Sequence, residues 1–197
     1  MKYTRALALL AFTLTPTLAH AHPGHAGHDE VGGIGWGLMH PFTGLDHLLA
    51  MVAVGLWAVQ LGGRALWALP AAFVGTMCLG GLMGMNGAVL PLVEPMILTS
   101  VLALGALIAF TVRLPLAACA GVVALSALFH GQAHGAEMPV GASGWMTALG
   151  FVAATTALHV TGVLGGLGLQ KFAQSRAVRV AGAAIFAAAV LMGAGIL

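Results

Sequence analysis

The chain has 197 residues, 60% of them hydrophobic and 6% charged, with a formal net charge of +2. Soluble domains carry about 25% charged residues, so the composition excludes a soluble protein and indicates one embedded in the lipid bilayer. The charge gives no basis for binding nucleic acid. The two cysteines, Cys78 and Cys119, fall in apolar stretches and read as buried packing residues, without sign of a disulfide framework or zinc ribbon.

Residues 1–21 read as a signal peptide. Lys2 and Arg5 form a basic start, Ala6 to Leu14 an apolar core, and Ala19-His20-Ala21 an A-x-A cleavage site. Cleavage after Ala21 gives a mature chain beginning at His22. Cleavage after Ala19 would instead give His20-Ala21-His22, a free amine with histidine third, which suits square-planar nickel or copper; the small-residue match favours Ala21. Residues 22–33 form a periplasmic arm in which His22, His25 and His28, beside Asp29 and Glu30, are weak metal ligands of a short His-rich tract.

Six apolar stretches follow, at 35–59, 65–85, 89–110, 114–133, 143–168 and 177–196. Each approaches the roughly 20 residues a bilayer-crossing helix requires. The fold expected is an all-α integral membrane protein, with six transmembrane helices in one domain over 34–197. Arg64, Arg113, Lys171, Arg176 and Arg179 all fall in connections on one side of this arrangement, and the opposite connections contain no Lys or Arg. The positive-inside rule makes the basic side cytoplasmic and the mature N-terminus periplasmic, in a bacterial inner membrane. Trp36 and Trp145 are expected at the outer interface, where amphipathic rings collect.

Within the first stretch, HPFTGLDH places His40, Asp46 and His47 among apolar residues. Charged side chains there cost roughly 2.5–3.5 kcal/mol each on insertion scales. Imidazole and carboxylate together suit a divalent transition metal. An unbroken helix would separate His40 and His47 by about 10.5 Å along its axis, too far for one ion. Pro41 and Gly44 leave two alternatives: a broken helix with converging ligands, or two successive metal stations.

Glu94 lies between Pro91 and Pro95 in the third stretch, read as about two turns inside its outer end. Pro95 would free the carbonyl of Pro91 beside it. The fourth stretch ends in FHGQAHGAE. His130 and His134 are i, i+4, on one helix face, and Glu137 follows three residues later. Gly131 and Gly135 either admit a neighbouring backbone or unwind the helix end. In the fifth stretch His159 stands alone among threonines, where a hydrogen-bonded packing role is commoner than a ligand role, so it is a weaker metal candidate.

HPFTGLDH and FHGQAHGAE, following a signal peptide, resemble the HupE/UreJ family of nickel permeases over essentially the whole mature chain. The resemblance implies a secondary transporter supplying nickel for hydrogenase or urease maturation. Its motif residues correspond to His40, Asp46, His47, His130, His134 and Glu137, with Glu94 as the acidic position of the third span. Metal is then cargo, and no prosthetic group is expected. Ligand chemistry alone leaves nickel, cobalt and zinc open. The only lysines, Lys2 and Lys171, follow no glycine-rich phosphate loop, so ATP is not the expected energy source. Two other readings are an intramembrane zinc-dependent hydrolase, which lacks an HExxH motif here, and a metal-binding accessory membrane protein.

Overall fold

A computed structural model describes residues 32–138 and 142–197. The signal segment and His22, His25 and His28 lie outside the described residues. All regular elements among those described are helical: α1 (Ile34–Met39), a 3₁₀ turn (His40–Phe42), α2 (Leu45–Leu61), α3 (Ala65–Met85), α4 (Val93–Ala109), α5 (Leu116–Ala136) and α6 (Ala142–Gly193). They form an apolar, multi-span bundle.

Four stretches are long and apolar enough to cross a membrane: Ala65–Met85, Leu116–Ala136, and the two parts of α6, Ser143–Lys171 and Arg176–Gly193. Ile34–Phe42 and Leu45–Leu61 make a fifth if taken as one span, broken by an 83° bend. The third expected span differs from its sequence reading. Leu92 adopts a left-handed conformation (φ 59°) and helix begins only at Val93, leaving 17 residues. These reach about 25 Å, short of a hydrocarbon core of about 30 Å.

The sixth helix cannot be straight. Its 52 residues would extend about 78 Å. Yet Gly162 lies against Val52 and Gly55 of α2, while Gly182 and Gly193 lie against Ile108 and Leu98 of α4. Ser100 of α4 is in turn tied through His130 to His47 of α2. The two parts of α6 must therefore bend sharply toward one another between Gln170 and Arg179. Gln170 donates to Val59 O (3.4 Å), Arg179 Nε to Ala109 O (3.1 Å), and Gln60 to Ile108 O (2.9 Å). These bonds gather the ends of α2 and α4 and the α6 bend at one end of the bundle. The connections bearing Arg64, Arg113, Lys171, Arg176 and Arg179 leave from that end.

The largest helix interface joins α3 and α5. It is close because glycine is present on both sides. A Cβ on Gly131 or Gly135 would overlap the carbonyl oxygen of Met77 or Gly81, and one on Gly80 would overlap that of Leu128. Such small-residue seams let backbones approach where lipid provides no hydrophobic drive for helix association. Of the two roles open to Gly131 and Gly135, the structure has the first, since α5 stays helical to Ala136. Behind the seam, Trp57, Phe73, Leu69, Val101, Leu104 and Ile108 fill the core. Cys119 is buried, whereas Cys78 is exposed, contrary to its reading as a packing residue.

Candidate metal-ion site

The first motif is a broken helix. Pro41 occupies the start of the 3₁₀ turn, where its missing N–H costs little, and Gly44 is extended (ψ 114°) before α2 begins. The break places Asp46 and His47 in the first turn of α2. There the backbone N–H groups lack helical partners and a carboxylate is favoured by the helix dipole. Asp46 Oδ1 accepts from the backbone N–H of His47 and also lies 2.8 Å from His47 Nδ1. Both residues are buried, at 7% and 4% exposure.

That arrangement fixes the ring's tautomer. An oxygen already accepting from N–H is an acceptor for Nδ1 too, so in the neutral imidazole Nδ1 carries the proton and Nε2 the lone pair. Nε2 is buried without a hydrogen-bond partner. Asp46 thus holds His47 as carboxylates hold histidine ligands in metal sites, turning the other nitrogen outward as a donor.

A second ring is fixed by different means. Ser100 Oγ donates its only proton to Ile97 O (2.7 Å) and lies 3.0 Å from His130 Nε2. Ser100 must therefore accept, which puts the His130 proton on Nε2 and the lone pair on Nδ1. His130 is fully buried and Nδ1 has no hydrogen-bond partner. The His47 and His130 rings stand 4.8 Å apart, centroid to centroid.

His134, one turn beyond His130, connects the two ends of the broken motif. Its ring centre lies 4.5 Å from that of His47 and 5.3 Å from that of His40. The break and the i, i+4 pair therefore assemble four histidines in one continuous cluster. His40 Nε2 extends it to Glu137, 3.3 Å away, whose carboxylate is 42% exposed at the end of α5. Aromatic rings hold the cluster: Phe151 stacks on His134 (4.2 Å), and Trp36 packs on His40 (4.6 Å). Trp36 is half-buried against the cluster, and Trp145 is exposed.

Glu94 departs from its predicted depth. It lies exposed in the first turn of α4, two turns before Ser100 and on the helix face that carries Ile97 and Val101. Pro95 is the third helical residue, where an N–H would be unpaired in any case, so it frees no carbonyl. His159 is also outside the cluster, buried at 1% exposure and 4.9 Å from Phe73. Neither of its ring nitrogens has a hydrogen-bond partner, so the hydrogen-bonded packing role is not met. Among the described residues no three His, Cys, Asp or Glu side chains converge as a ready-made metal cage. The rings pack along a path, edge to face at His40–His134 and His47–His130 and tilted at His47–His134. Sequence reading missed Ser100, Phe151 and Phe73; the Thr99-Ser100 hydroxyl pair in a largely apolar α4 was the one available signal.

Fold and site together define a multi-span helical membrane protein with a buried histidine cluster oriented by a carboxylate and a serine. Residues 10–192 match the HupE / UreJ protein family, and the chain belongs to that family. It is 47% identical over 198 residues to Protein HupE of Rhizobium leguminosarum bv. viciae, covering 98% of this chain and 100% of that relative. No solved structure matches.

Proposed function

We propose that this protein is a permease that imports a divalent transition metal, nickel foremost, across the bacterial inner membrane. In this reading it has six spans behind a cleaved signal peptide, with a periplasmic mature N-terminus. Glu94, Glu137 and the His-rich arm receive the ion at the outer mouth. His40, His134, His47 and His130 carry it inward, with Asp46 as their orienting carboxylate. The imported metal serves hydrogenase or urease maturation.

The observation that carries this reading is the pair of buried, unpartnered lone pairs on His47 Nε2 and His130 Nδ1, in rings 4.8 Å apart. Burying such groups unsatisfied costs about 1–3 kcal/mol each, a cost that a cation at the site would offset. Donors strung along a path favour handing an ion on over holding one fixed for catalysis. The gathering of the basic connections at the far end of the bundle supports the orientation.

The test is nickel uptake by proteoliposomes containing the full chain under an inside-negative potential. Wild type should accumulate nickel, and His47→Ala should lose most of that uptake. Equal uptake by both would remove His47 from the path, and no uptake by wild type would remove the permease reading. Excess zinc or cobalt in the same assay identifies the preferred ion.

A further inference from the structure

His159 belongs to no part of the cluster just described, and its surroundings are unlike those of a packing histidine. Its backbone carbonyl lies against Gly55, eight residues past His47 on α2, or about 12 Å nearer the end that carries Arg64. Buried polar atoms in folded proteins almost always have a partner. Both ring nitrogens of His159 have none. One turn earlier, Thr155 Oγ donates to Met77 Sδ (3.4 Å), so neighbouring polar groups of α6 do find partners across this interface.

Phe73, fully buried, lies 4.9 Å from His159 and 5.7 Å from His130. His159 also lines a cleft of about 390 Å³ between the first half of α3 and the middle of α6, with Leu66, Pro70, Val74, Thr156 and Val163. A separate cavity of about 210 Å³ reaches His134 from the other half of α3. Phe73 therefore contacts both His130 of the cluster and His159.

We propose that His159 is a second, inner station for the divalent cation, reached past Phe73 after the His47/His130 lone pairs. The inference rests on the permease reading. Binding is by a ring nitrogen lone pair displacing water from the ion, with no covalent or redox step. Two stations of similar chemistry, separated by an aromatic ring, let the ion advance without crossing the apolar core unliganded.

The full chain with nickel as probe tests this by two measurements on His159→Ala and His159→Asn: equilibrium nickel binding in detergent, and initial uptake in proteoliposomes. The half-saturation of binding should stay within about twofold of wild type, because the outer cluster is intact, while maximal uptake falls at least tenfold. Unchanged uptake would overturn the inner station while leaving the permease reading in place; absent wild-type uptake would remove that reading itself. If both variants lose binding as well, His159→Cys in a Cys78→Ala, Cys119→Ala background decides. Cadmium should then add a thiolate-to-metal ultraviolet band that the background protein lacks, and absence of the band overturns the station.

Discussion

Asp46 can act on the cation directly or through His47, and substitution separates the two. In Asp46→Ala, two buried donors lose their common acceptor: the backbone N–H of His47 and its Nδ1–H, the latter now 2.8 Å from Oδ1. Each unmade bond costs about 1–3 kcal/mol, and the ring is free to turn or to move its proton to Nε2. Loss of such an orienting partner typically weakens metal affinity 10–100-fold. That is about 1.4–2.8 kcal/mol, in keeping with one or two lost bonds. Half-saturation for nickel uptake should therefore rise 10–100-fold in Asp46→Ala. Asp46→Asn keeps an oxygen at the same place, so its rise should be clearly smaller. The assay is initial nickel uptake in proteoliposomes over a concentration series at fixed membrane potential. An unchanged half-saturation in Asp46→Ala would refute the orienting role. Asn as damaging as Ala would instead make the negative charge, and hence direct ligation, the essential property.

Three further outcomes follow from the same geometry. Gly135→Ala should lower stability in detergent by about 1–3 kcal/mol, because its Cβ meets the Gly81 carbonyl and one backbone must move. Gly121→Ala on the same helix meets nothing and should cause no loss; equal melting temperatures for the two would refute the α3–α5 seam. Protons compete with the metal for imidazole lone pairs, so uptake should fall as the outer pH is lowered. A flat profile at clamped potential would exclude histidine ligation as the limiting contact. An uncoupled divalent ion gains about 4.6 kcal/mol per 100 mV, inside negative, or roughly a thousandfold accumulation. Steady-state nickel ratios measured against potassium diffusion potentials should show that dependence; independence from potential would require a compensating ion.

What could be read from the sequence depended on whether the signal was local. The i, i+4 spacing of His130 and His134 fixes a shared helix face wherever the helix goes, and the helix is present to Ala136. The membrane class and the charge asymmetry are likewise sums over composition, insensitive to detail. Glu94 was misplaced because residues 89–92 are apolar enough to pass for helix. The left-handed turn at Leu92 that delays the helix has no marker in residue type. Ser100 was missed because serine within a helix usually satisfies itself on its own backbone. Ser100 does so at Ile97, and its second role depends on a histidine 30 residues away.

The spacing of His40 and His47 is the case where local reasoning reached the right alternatives and could go no further. Pro41 and Gly44 weaken the helix but do not set the direction in which the chain leaves the break. That direction depends on what the two ends pack against. Gly37 sits against Gly150 of α6, and Gly55 against Gly162, so two close glycine contacts on one helix anchor the pieces on either side of the bend. His134 then fills the angle between them, with ring centres 5.3 and 4.5 Å from those of His40 and His47. Of the two readings of the motif, the structure has the broken helix. His40 and His47 reach each other through His134. A broken helix has produced successive rings within one cluster, and a ring on another helix sets their spacing.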